Sequence, residues 1–353
     1  MSEPQPRNPT MEGQEQIPRQ GHVERMASSA VDPCLSDGTS QSAASENSSP
    51  IASGPGLNFA ATAQSSYART LFFAPDGLRP GWGFAFYVLL FYPLQLTVTR
   101  WAESLDLGAS GLWSMMLAEF GVLLAAVIPA LILARFERRP WNAYGLPPRR
   151  AFGKLFWTGS GWGLASITLL LLFMYGLRLF DFGHLALHGG RLPKFALFWA
   201  LFFLLVGLFE EFLLRGYTQF TLTRAFGFWP AAVFLSCLFG FIHSQNAGEQ
   251  WPGLLAAAAI GLFFCLTLRR TGNLWFAVGF HMAWDWGETF LYSVPDSGTL
   301  FPGHLLKSSF HGPHWLTGGM VGPEGSVLCF LVIGIVWAAF AKIYPDVKYG
   351  CIR

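Results

Sequence analysis

Phe195-Ala-Leu-Phe-Trp-Ala-Leu-Phe-Phe-Leu-Leu-Val-Gly-Leu-Phe-Glu-Glu-Phe-Leu-Leu-Arg215 is the stretch that decides how this chain folds. It runs uncharged from Phe195 to Phe209, then carries two adjacent carboxylates, Glu210 and Glu211. An ionised carboxylate at bilayer depth costs at least ~2.5 kcal/mol on insertion scales, so it persists there by pairing or by performing a function. Arg215 lies four residues after Glu211 and shares its helix face. Two acids and one base leave a net negative group within an apolar helix, which asks for a chemical reason.

The rest of the chain agrees with a membrane reading. Of 353 residues, 52% are hydrophobic and only 12% charged, against roughly 25% charged in ordinary soluble domains. Uncharged runs long enough to cross a ~30 Å hydrocarbon core recur. We place spans at 81–99, 109–134, 155–177, 195–223, 226–245, 252–268, 272–292 and 325–344, an all-α polytopic bundle of about eight transmembrane helices. Pro93 and Pro129 fall inside spans, where neighbouring helices re-satisfy the freed backbone groups. A net charge of +2 and no basic stripe argue against nucleic acid. The partner this composition implies is the lipid bilayer. Five scattered cysteines give neither a disulfide framework nor a thiolate metal site.

Residues 1–68 differ in composition from the remainder of the chain. They are rich in Ser, Gln, Pro, Gly and Glu and poor in aliphatics, so they cannot bury enough apolar surface to offset chain entropy, and a disordered polar tail is expected. Residues 69–353 then form the membrane domain. The tail has no basic start followed by an apolar core, so the first span is expected to direct insertion. Six Lys and Arg residues between Arg135 and Lys154 outnumber those of the opposite loops. The bias predicts cytoplasmic termini in an integral, multi-pass protein, with a bacterial inner membrane as the expected location.

Two further ionisable constellations occur at helix spacing. Phe239 and His243 lie four apart, as do His281 and Asp285, so each pair shares a helix face. Measured from the flanking turns at 1.5 Å per residue, Glu210 lies ~21 Å along its helix, His243 ~24 Å, and His281 and Asp285 ~17 and ~22 Å. All four fall in one slab, provided span four stays helical through Gly216. A lone membrane His is commonly a helix–helix donor and a lone Glu–Arg pair commonly structural. Independent structural uses give no reason for a shared depth. Glu119 in the second span reads as a buried, hydrogen-bonded or interfacial residue, and the loop 293–324 with His304, His311 and His314 as a solvated connection in preference to a gate on entry.

A carboxylate beside a neutral imidazole can hold and deprotonate a water for attack on an amide carbonyl, while a second His stabilises the oxyanion. Alternatively Glu210, His243 and His281 could ligate a divalent metal such as zinc, which lowers the pKa of bound water to ~7. No Ser or Cys nucleophile stands beside a base, and no HExxH occurs. A proton- or cation-coupled transporter would also use buried acids, but no inverted repeat or pair of broken helices is visible. A catalytically inactive membrane scaffold is the third reading.

The ordered set Glu210-Glu211-x-x-x-Arg215, Phe239-x-x-x-His243 and His281-x-x-x-Asp285 resembles the CPBP family: the type II CAAX prenyl endopeptidases and the bacteriocin-processing or immunity proteins similar to them. The resemblance is strong over 195–292. It implies an intramembrane endopeptidase of glutamate or metallo type, with Glu210 as the water-activating base and His243 sharing that role. Glu211 and Arg215 would be the supporting pair, and His281 with Asp285 the oxyanion side. Where the family motif carries Asn, the amide can donate to an oxyanion; an ionised Asp285 cannot.

Overall fold

The computed structural model describes residues 70–75, 77–105 and 111–349. The expectation of a disordered tail at 1–68 falls outside them. Helix follows helix almost throughout: α1 (Pro80–Glu103), α2 (Leu112–Phe136), α3 (Lys154–Gly176), α4 (Arg191–Phe212), α5 (Thr218–Phe226), α6 (Phe228–Ile242), α7 (Trp251–Thr271), α8 (Trp275–Trp286) and α9 (Val327–Ile343), besides a one-turn helix at His314–Thr317. The chain is a polytopic helical membrane bundle. Among the described residues, six helices are long and apolar enough to cross a membrane, α4 and α5 counting as one through the turn between them. The seventh and eighth expected spans are shorter: α8 runs into a π turn, Gly287–Tyr292, and α9 has 17 residues.

Sequence explains the boundaries. Pro80 and Pro252 sit in the first turns of α1 and α7, where a missing N–H is no loss. Gly272 closes α7 with φ +81°, a left-handed stop that glycine adopts without a Cβ penalty. Span four continues through Gly216, as its length requires, but with a change of pitch. Leu213–Tyr217 is a π turn in which Gly216 leaves helical geometry (φ −84°, ψ −111°), a local feature often found at functional sites.

The helices pack in a graded way. The most apolar window of α1 is 17% buried and that of α7 56%, so α1 borders the bundle and α7 runs through it. Large apolar side chains remain exposed on several helices, among them Leu89, Phe120, Leu197, Phe241 and Leu331, a surface suited to lipid. Helix α3 approaches α8 closely, backbone to backbone. A Cβ at Gly159 would run into the carbonyl oxygen of Phe276, one at Gly163 into that of Phe280, and one at Gly279 into that of Phe156. Gly159 and Gly163 form the small-x-x-x-small stripe that lets membrane helices touch by their backbones. Phe276 and Phe280 bracket the segment just before His281, so this contact fixes the height of the third motif.

Below the apolar layers lies a buried polar knot at the end of α2. Glu137 accepts from Tyr217 Oη at 3.2 Å and Tyr144 Oη at 3.4 Å, with Arg139 Nε at 3.5 Å and Arg224 Nη1 at 3.9 Å. Burial raises the Glu137 pKa, with Arg224 the largest opposing influence. The knot joins α2, the following loop, the π turn and α5.

The connection 293–324 is not a plain solvated loop. Its strand β4 (Leu306–Phe310) pairs antiparallel with β3 (Phe180–Leu185), with an irregularity between Asp181 and His184. Before them, a shorter antiparallel pair joins β1 (Phe73–Ala74) to β2 (Gly77–Leu78). Gly183 takes φ +64° at the irregularity, where a Cβ would collide with the Lys307 carbonyl oxygen.

Candidate active site

The three motif helices converge on one cavity of about 260 Å³. Glu210, near the end of α4, His243, capping α6, and His281 and Asp285, on α8, all line it. Phe202, Phe203, Val206, Ile260, Phe280 and Trp284 supply an apolar wall.

His281 is the hub. Its Nδ1 lies 3.2 Å from Glu211 Oε1, and its Nε2 lies 3.6 Å from both Glu210 Oε2 and Asp285 Oδ2. An ionised carboxylate only accepts, so Nδ1–H donates to Glu211 and Nε2 is turned toward Glu210 and Asp285. The ring stacks on Phe264 at 5.7 Å between centroids. Adjacent residues on a helix diverge by ~100°. That divergence separates Glu210, 27% exposed at its side chain and on the cavity, from Glu211, which is fully buried.

Glu211 accepts from Arg215 Nη1 at 3.1 Å, both side chains being inaccessible. The guanidinium lies 4.6 Å from the Phe239 ring centroid and 5.7 Å from that of Phe264. Gly261 of α7 leaves room for it: a Cβ there would meet Arg215 Nη2 at 2.5 Å. Phe239 has a second contact, edge to face with His243 at 4.5 Å. His243 Nδ1 bonds the Phe239 carbonyl oxygen at 2.8 Å. A carbonyl only accepts, so Nδ1 carries the proton and Nε2 is the acceptor nitrogen. Glu210 and His243 thus share a cavity, while the imidazole within ion-pair distance of Glu210 is that of His281.

Four cavity acids fall outside the motif reading: Glu119, Glu249, Asp296 and Glu324. Glu119 was expected to be hydrogen-bonded or interfacial. It faces the cavity, and its Oε1 has no hydrogen-bond partner among the described residues. Asp296 and Glu324 come from the loop expected to be a bland connection, while His304, His311 and His314 do not line the cavity. His311 instead pairs with Asp181 at 3.0 Å, across the β3–β4 pair. Burial pushes Asp296 well above the usual carboxylate range, reinforced by the neighbouring Asp285 and Glu324 carboxylates. Burial also raises Glu324, opposed by His243 and by hydrogen bonds from Ser297. The lining holds six carboxylates and no Lys or Arg.

The zinc set expected from sequence does not converge. Among the described residues, the three metal-ligating groups whose ligand atoms lie within 4.8 Å of one another are Asp285, Glu288 and Asp296; Glu210, His243 and His281 do not form such a set. Those three residues do not fit a shared zinc ion in this arrangement.

A bundle of membrane helices around an acid- and histidine-lined cavity defines the class as a polytopic membrane protein. Residues 192–287 match the family model described as Rce1-like, type II CAAX prenyl endopeptidase Rce1-like. The match runs from α4 into the start of the π turn after α8 and contains all seven motif residues. This segment of the chain is Rce1-like, which supports a CPBP-family intramembrane protease of the CAAX endopeptidase type in general. No match was found among curated proteins or solved structures.

Proposed function

We propose that this protein hydrolyses a peptide bond within the membrane by water activated at Glu210 and His243. The observation that supports this reading is one cavity shared by Glu210, His243, His281 and Asp285. Water held between Glu210 and His243 Nε2 gives up a proton to one of them as its oxygen bonds to the amide carbon. The carbonyl oxygen takes the negative charge. His281, in the form carrying protons on both nitrogens, turns Nε2–H toward that oxygen, with Asp285 orienting the ring. Collapse of the intermediate breaks the C–N bond, and the proton taken from water passes to the leaving amine.

Glu211 and Arg215 are positioning residues in this scheme: Glu211 holds Nδ1 of His281, and Arg215 neutralises Glu211. The reading is of the glutamate type and needs no metal at Glu210. The substrate class is a peptide or protein segment presented at the bilayer, and residues 69–353 act as one protease domain with both termini cytoplasmic. The test is cleavage of a membrane-presented peptide by purified Glu210→Gln protein. Removing a general base should slow cleavage by about 10²–10⁴-fold with the protein still folded and inserted; wild-type turnover in the variant would overturn the proposal.

A further inference from the structure

The acidic set beside the cavity is a second site. Asp285 closes α8, Glu288 follows three residues later in the π turn, and Asp296 arrives from the loop beyond. One carboxylate oxygen from each lies within 4.8 Å of the other two, and all three residues are buried. None is paired with a Lys or Arg among the described residues. Asp285 has His281 beside it, and Asp296 accepts from Thr289 Oγ1 at 3.2 Å. Asp296 is also fixed by a turn in which its N–H donates to Thr299 O at 2.9 Å.

Glu288 has nothing comparable. It is 0% exposed, and neither carboxylate oxygen has a hydrogen-bond partner among the described residues. A buried carboxylate without a donor is strongly disfavoured. Two further carboxylates within ligand distance add repulsion, which either bound protons or a cation held between the three acids would relieve. Buried charges are otherwise found paired or coordinating metal.

We propose that Asp285, Glu288 and Asp296 bind a hard divalent cation of the Ca²⁺, Mg²⁺ or Mn²⁺ class. The donor set is all oxygen, with no imidazole or thiolate, which suits those ions rather than zinc or copper. Asp285 and Asp296 line the cavity and Glu288 does not, so an ion arrives from the cavity side and is backed by Glu288. The ion ties the loop at Asp296 to the end of α8. Through Asp285 it steadies His281 without touching the proposed attacking water. Glu288 and Asp296 lie beyond the Rce1-like match.

The test uses the full chain in detergent, stripped with a chelator and then given Ca²⁺, Mg²⁺ or Mn²⁺ separately. Bound metal is counted after gel filtration, and melting is followed against ion concentration. The expected result is retention near one ion per chain, with a melting temperature that rises with that ion in the wild type and no longer rises in Glu288→Gln. If Glu288→Gln does not fold, Asp296→Asn serves as the second variant, and retention by the wild type is read independently. Absence of retained ion together with flat melting for all three ions overturns the site, as does an unchanged shift in a folded variant. Neither readout uses cleavage, so failure here and failure of the protease proposal are separate results.

Discussion

Glu211, not its neighbour Glu210, holds the Nδ1 nitrogen of His281, at 3.2 Å, while also accepting from Arg215 at 3.1 Å. The two adjacent acids are thereby divided by environment: one is fully enclosed and paired, the other opens on the cavity. Glu211→Gln leaves the Arg215 guanidinium buried with no counter-charge, and breaking a buried pair in this way costs about 3–5 kcal/mol. Glu210→Gln breaks no buried Arg pair. Melting curves should therefore drop strongly for Glu211→Gln and shift little for Glu210→Gln, with cleavage lost in both. A Glu210→Gln protein as destabilised as Glu211→Gln would contradict this division.

The α3–α8 contact makes a prediction about helix placement. Gly163 packs its backbone against the Phe280 carbonyl, one residue before His281. An added methyl has no flexible side chain to push aside, so α8 itself must move. Gly163→Ala should cost about 1–3 kcal/mol, in the range of overpacked cores, and should lower turnover by displacing His281. Gly161, on the same helix, has open space around a Cβ. Gly161→Ala is the matched control, expected to retain both melting temperature and activity. Equal losses at the two positions would remove the backbone-contact explanation.

Much of this layout was legible in the chain because its physics is local. The apolar lengths gave the helices, and the i,i+4 pairs Glu211–Arg215, Phe239–His243 and His281–Asp285 each lie on one helix. Other features depend on contacts that no local period encodes. Phe180-Asp-Phe alternates for too few residues to announce a strand, and β3 forms because β4, far along the chain, lies beside it. The acids at Asp296 and Glu324 reach the cavity through loop turns, so depth counting along helices could not find them. Glu288 did carry a signal: it stands three residues beyond Asp285, within the same expected span. The zinc expectation rested on chemical type alone, whereas ligation requires ligand atoms to converge, and here only the carboxylate set does so among the described residues.

The knot at Glu137 should be separable from the motif cavity, since neither Glu137 nor Tyr217 lines it. Tyr217→Phe removes the 3.2 Å hydrogen bond to Glu137 and keeps the ring contacts with Tyr87 and Tyr144. A hydrogen bond to a charged group contributes about 1.5–3 kcal/mol. Thermal unfolding should show a loss of that size, with substrate affinity unchanged. An altered KM at unchanged stability would mean that Tyr217 reaches the substrate.

His243 gives the sharpest separation of chemistry from folding. Its Nδ1–H is committed to the Phe239 carbonyl, which leaves Nε2 as the acceptor toward the cavity. The residue caps α6 and is only partly buried, so truncation leaves no sealed void. His243→Ala should therefore change stability by less than about 1 kcal/mol, as surface-type substitutions do, while slowing cleavage by about 10²–10⁴-fold, the usual contribution of a general base. Phe239→Leu is the companion variant. It removes the ring that lies over Arg215 and against His243, so it should lower both stability and turnover. Stopped turnover at wild-type melting in His243→Ala, beside a combined loss in Phe239→Leu, distinguishes an imidazole that acts on water from one that merely fills the end of its helix.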